Sequence, residues 1–169
     1  MNKKKKIFIV IPKYKIGGAE RVIIGIANQL AKYDFKVFLI TLVKTEKFSL
    51  SKSIKLINLE KKKVIFSIFQ LKKVIDKFKP DICLSTISHT NIALYIASKL
   101  TKHKSIIFLR ESNNLFMSLD NYNFFYKFVF FQLIKMSYRN SNLITPSLGL
   151  SKQLKKKLKI KKKVYSIPN

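Results

Sequence analysis

Acidic side chains are scarce in this chain, tryptophan is absent, and glycine, proline and cysteine are thinly spread. Each shortage excludes something. With one cysteine, Cys83, neither an intrachain disulfide nor a cysteine-based zinc site can form, and a cytoplasmic setting fits. Cys83 lies in an apolar run and reads as a small buried residue. Two histidines and eight carboxylates leave little from which to build a metal site, so no metal and no cofactor is expected. No Gly/Ser linker and no internal repeat is visible. Long hydrophobic runs are missing as well. The start, "MNKKKKIFIVIPKYK", sets lysines before an apolar run as a signal peptide does, but Ile7 to Ile11 is shorter than the roughly seven apolar residues such a segment needs. Nowhere do about 18 apolar residues follow one another, so a transmembrane helix is not expected. The nearest approach, Tyr122 to Tyr138, is broken by Lys127, Gln132 and Lys135.

What is abundant is lysine. The formal charge is +27, from 35 basic and eight acidic residues among 169. Such a balance directs attention to nucleic acid or an anionic membrane. The arginines, however, are Arg21, Arg110 and Arg139 alone, and base reading leans on the bidentate guanidinium fork, so nucleic acid is not the expected partner. Lysine, isoleucine, asparagine and phenylalanine rise together while glycine, alanine and arginine fall, which AT-rich coding produces by itself. A membrane surface can still use the charge.

The length suits one domain with a substantial core. Its apolar runs alternate between two periods. Ile7 to Ile11 is apolar without alternation, as in a strand covered on both faces. From Ala19, the spacing of Val22, Ile23, Ile26, Ala27 and Leu30 is that of a helix with one buried stripe. Lys36 to Val43 returns to a continuous apolar run. Strands are then expected at Ile54–Leu59, Asp81–Thr86, Ser105–Arg110 and Asn142–Ser147, with a last one in the final segment "KVYSIPN". Helices are expected at Ile65–Phe78, Asn91–Leu100, within Tyr122–Arg139 and from about Leu148 to Leu158. This order predicts an α/β fold, a doubly wound and mostly parallel sheet of Rossmann-like character.

In such a sheet the site lies beyond the carboxyl ends of the strands. Gly17 and Gly18 fall there, between the first strand and the first helix, and glycine permits positive φ and close approach of a ligand. The segment is neither G-x-G-x-x-G nor a P-loop. Glu20 suits the positive end of the helix dipole but opposes a phosphate beside it, so it is assigned to capping or to sugar hydroxyls.

"GGAER", Gly17 to Arg21, following a first strand, resembles the amino-terminal signature of retaining glycosyltransferase family four. "FKPDICLST", "IIFLRESNN" and "SNLITPSLGLSKQL" resemble later segments of that family in the same order, so the likeness runs from about Lys5 to Asn169. The resemblance implies one half of the two-Rossmann GT-B architecture, the amino-terminal half that mainly binds the acceptor. It also implies a second half that binds the nucleotide-sugar, whose basic pair and glutamate motif do not occur here. A single domain, 1–169, without that second half is therefore expected, inactive by itself.

The expected substrate-binding residues are Gly17, Gly18, Glu20, Arg21, His89, Arg110, Glu111 and Ser147. Arg110 would meet a phosphate, and Glu111 acceptor hydroxyls. His89 would line the same cleft, and Ser147 would cap a helix or touch the ligand. The expected partners are a glycan or lipid-linked acceptor in surface glycoconjugate synthesis, a nucleotide-sugar given a second domain, and a chain supplying that domain. An anionic membrane surface joins them, because the aromatic segment Phe124–Ile134 is wider than one core stripe. The competing reading is a non-catalytic module that docks a partner transferase to the inner face of a membrane.

Overall fold

The computed structural model describes residues 4–13, 18–33, 35–44, 50–112 and 123–168. Among these, β1 (Lys5–Ile11), β2 (Phe35–Val43), β3 (Lys55–Lys61), β4 (Ile82–Thr86), β5 (Ile106–Arg110), β6 (Asn142–Thr145) and β7 (Val164–Ser166) form one sheet. Every pairing is parallel, and the strand order is β3-β2-β1-β4-β5-β6-β7. The helices are α1 (Gly18–Lys32), α2 (Ile68–Phe78), α3 (Ser88–Leu100), α4 (Phe124–Arg139) and α5 (Leu148–Leu158), with a 3-10 turn at Val64–Ser67 before α2.

The unbroken apolar runs arise because both faces of the sheet are covered. Along β1, Ile7, Ile9 and Ile11 pack with Ile23 and Ala27 of α1, while Phe8 and Val10 pack under α2 and α3 with Leu71, Ile75 and Leu94. Successive side chains of a strand point to opposite faces, so a strand sandwiched this way has no polar side to show. Phe8, Phe38 and Phe78 form a ring cluster on the α2 face, with centroids 5.2–6.1 Å apart. Cys83 lies fully buried in the same layer, where loss of water pushes its thiol up to about 12.

β2 and β3 are parallel neighbours with no helix among the described residues between them, and none was expected there. One feature departs from the sequence expectations. α3 begins at Ser88, three residues before its apolar stripe announced it, because Ser88, Thr90 and Asn91 are buried polar residues that periodicity counts as loop. Glycine scarcity leaves its own mark. α2 and α5 end on left-handed residues, a position that favours glycine, and here the residues are Lys79 and Lys159, each with φ of 50°.

Candidate functional site

The strand order reverses direction between β1 and β4, so the loops leaving these two strands diverge and open a crevice at the carboxyl edge of the sheet. Since all strands run the same way, the ends of β1, β4, β5 and β6 share that edge. A groove of about 750 Å³ lies beside it. One wall is Val64, Ile65 and Ile68, from the 3-10 turn and the start of α2. The floor is Ile92, Ala93 and Ile96 of α3, and the other wall is Tyr126, Val129, Phe130 and Leu133 of α4. Pro12, Lys13, Glu20, Lys63 and His89 complete it at the sheet edge. An apolar trough with a few polar groups at one end is a common form of ligand site.

His89 stands in the first turn of α3. Its Nε2 and the Tyr126 hydroxyl are 3.2 Å apart, and its ring lies 4.7 Å from the Phe130 ring, which in turn stacks on Tyr126. His89 is exposed, but the water it loses against Phe130 and Tyr126 lowers its pKa, so the imidazole is neutral at pH 7 and able to accept a hydrogen bond. Tyr126 is held by the cap of α4, where its backbone N–H donates to Asn123 Oδ1 at 2.9 Å. Glu20, in the first turn of α1, faces the same groove from the sheet side.

Arg110 and Glu111, adjacent in sequence, separate in space. Phe108 packs in the α1 layer and Leu109 in the opposite layer, so alternation directs Arg110 to the first and Glu111 to the second. Glu111 is fully buried. Its Oε2 accepts from Ser88 Oγ at 2.7 Å and from the Tyr138 hydroxyl at 2.5 Å, and its Oε1 from the Ser112 N–H at 3.1 Å. Asn91 extends the network: its Nδ2 donates to Tyr138 Oη and to the Arg110 carbonyl, and its Oδ1 accepts from Ser85 Oγ. The carboxylate expected to meet acceptor hydroxyls is thus engaged inside the domain, tying β5 to α3 and α4. Arg110 is 3% exposed; burial lowers its pKa, opposed by the charge of Glu111. Between β4 and α3 sits Ile87, with φ of 70° and ψ of 133°, a costly backbone for a β-branched residue. The network anchors the helix that this turn launches.

The other expected residues fall as follows. Gly18 is the first residue of α1 and does not use the positive φ open to glycine, since a first helical turn needs ordinary helical angles. A Cβ at Gly18 would meet nothing within 4 Å, so the space above the helix start is open. Gly17 lies outside the described residues. Arg21 is exposed on α1 and does not line the groove. Ser147 caps α5, accepting from the Leu150 N–H at 3.2 Å, and lies on the shared edge away from the groove. The structure therefore sets Glu20 and His89 on one groove, buries Arg110 at the end of β5 and Glu111 just past it, and leaves Arg21 and Ser147 apart from the groove. Sequence reasoning missed Lys13, Lys63, Tyr126 and Tyr138. Two tyrosines within the run Tyr122 to Tyr138, Tyr126 and Tyr138, were the available signal.

A parallel doubly wound sheet with its crevice at the β1/β4 reversal is one half of a GT-B fold. Phytolacca americana UGT2, solved in complex with UDP-2fluoro-glucose and pterostilbene, superposes with a TM-score of 0.64 at 9% identity over 99% of this chain. The chain spans 53% of that protein's length. The family model described as Glycosyltransferase Family 4 matches residues 16–169, and the chain belongs to that family. Comparison with curated protein sequences gives no match.

Proposed function

We propose that this chain is the acceptor-binding half of a glycosyltransferase that transfers a sugar from a nucleotide-sugar to a glycan or lipid-linked acceptor in surface glycoconjugate synthesis. The observation that carries the reading is the groove. Its floor and walls are aliphatic and aromatic, suited to the hydrocarbon or ring faces of an acceptor, and its sheet end offers a neutral His89 and Glu20 as acceptors for sugar hydroxyls. Glu111 serves as a positioning residue, fixing the start of α3 and hence His89. Family membership supports the reaction class, and the share of UGT2 that the chain matches supports an assignment to one half. Transfer itself needs a nucleotide-sugar-binding half across the crevice, because a half-cleft open to water cannot hold the preorganised charge stabilisation that transfer requires.

An alkyl glycoside, joining a hydrocarbon tail to a sugar, tests this. Titrated into the chain, it is expected to shift the His89 imidazole and the methyl resonances of Ile65, Ile92 and Ile96 saturably, while the nucleotide-sugar alone does not. Ile96→Trp, which fills the floor, should abolish the shifts in a chain that remains folded. Saturable shifts confined to residues outside the groove, or none, would overturn the assignment.

A further inference from the structure

The direction of the crossovers leaves part of the sheet bare. Right-handed connections put α1, between β1 and β2, on one face, and those that step the other way, from β4 through β5 and β6 to β7, put α3, α4 and α5 on the opposite face. α1 packs over β2, β1 and β4, and among the described residues no helix packs over β5, β6 and β7 on that side. Alternation sends Ile106, Phe108, Ile144, Tyr165 and Ile167 to this strip. Ile106 is 55% and Ile167 54% exposed, and Tyr165 lies against Phe108 with ring centroids 6.5 Å apart. Strands of a parallel sheet are ordinarily covered on both faces, so five apolar side chains on a bare strip mark an interaction surface. The strip has the size of one helix. β5 and β7 lie two strand spacings apart, about 10 Å, which is a helix diameter, and the length of β5 is about 17 Å, some three helical turns. At its amino end the strip meets a cleft of about 480 Å³ whose lining includes Lys99, Lys102, Lys104 and Lys162. Lys163 reaches over the Tyr165 ring, 5.4 Å from its centroid. None of the described residues lining the cleft is acidic, none in 139–169 is, and the carboxylate of Asp81, beside Ile106 in the ladder, accepts from the Lys6 N–H at 2.7 Å.

We propose that the β5–β7 strip and the lysine-lined cleft at its amino end form one docking surface, whose occupant is an acidic amphipathic helix contributed by a second polypeptide. Its apolar stripe lies on Ile106, Phe108, Ile144, Tyr165 and Ile167, in the same layer as α1, and its carboxylates reach the lysines at the amino end. Such a helix supplies the second cover that these strands lack. A second copy of this chain is a poor occupant, because at a formal charge of +27 it would bring like charges together across the contact. The proposal goes beyond the acceptor reading and stands without it. The acceptor groove lies among α2, α3 and α4, so its occupancy is read on Ile65, Ile92 and Ile96, and that of the strip on Ile106, Ile144 and Ile167.

The test uses a synthetic helical peptide of about 18 residues with one leucine stripe and glutamate on its other faces, and a counterpart with lysine in place of glutamate. The glutamate peptide is expected to shift the methyl resonances of Ile106, Ile144 and Ile167 and the Tyr165 ring saturably, and the lysine peptide to leave them unchanged. Ile106→Ser with Ile167→Ser, and separately Lys104→Glu with Lys162→Glu, should each weaken binding of the glutamate peptide by about tenfold or more. All four positions are exposed, so these variants keep the fold, which circular dichroism checks. Phe66→Ser, at an exposed aromatic in the 3-10 turn before α2, should change nothing. Shifts confined to the acceptor groove, equal binding of the two peptides, or undiminished binding by either double variant would overturn the proposal. A dimer of the chain alone, dispersed by Ile106→Ser with Ile167→Ser, would assign the strip to a second copy and overturn it equally.

Discussion

The hydroxyl of Tyr138, near the end of α4, donates to Oε2 of Glu111, just past β5, across 2.5 Å, and both side chains are fully buried. Burial raises the Tyr138 pKa well above the usual phenol value, and the Glu111 charge and hydrogen bond raise it further. A buried carboxylate persists only while donors surround it, and Tyr138 is among them, with Ser88 and the Ser112 N–H. Tyr138→Phe should therefore cost about 1–3 kcal/mol in urea unfolding. A loss below about 0.5 kcal/mol would mean that the bond carries no weight. The pH dependence has a definite sign. The folded pKa is raised, so this contribution is complete below the unfolded value near pH 10 and is lost as pH rises above it. Tyr138→Phe should lack that part of the alkaline loss.

Lys79 and Lys159 hold left-handed angles that a Cβ disfavours, and both are exposed, so little else changes on substitution. Lys79→Gly and Lys159→Gly should each stabilise the domain by up to about 1 kcal/mol, the glycine's greater unfolded-state freedom offsetting part of the relieved strain. The same change at Lys73, inside α2, should destabilise by about 1 kcal/mol. Thermal midpoints of the three variants decide it: a uniform loss in all three would refute the account of the caps.

His89 has a lowered pKa, from the water it loses against Phe130 and Tyr126. Folding then disfavours the protonated ring. Stability should be complete above the unfolded histidine value near pH 6.5 and should fall as the pH drops through it. His89→Gln should flatten the part of the pH–stability curve below the unfolded histidine value near pH 6.5 that His89 carries. An NMR titration of the imidazole above the free value would contradict the direction.

The strands were legible because covering both faces makes each one a continuous apolar run, and the helices because their stripes repeat at the helical period. Where polar residues go inside, the pattern fails, as at the start of α3, where Ser88 and Asn91 serve Glu111 and Tyr138. The site was legible in part. Position after a strand end selected His89, Arg110 and Glu111, since a parallel sheet gathers all such ends on one edge. Position could not say which way each side chain turns. The alternation of β5 sends Arg110 and Glu111 to opposite layers, and Glu111 becomes a strut instead of a ligand contact.

The amino-acid sequence by itself determined the class of fold, the direction of the strands and the edge that carries the crevice, because those follow from periodicity and from the handedness of parallel crossovers. The tertiary structure alone decided that the 3-10 turn before α2 and the start of α4 frame a single groove. Two short aromatic clusters far apart in the chain become neighbours only when α3 packs between them, and contacts across such a distance leave no local signal for periodicity to read.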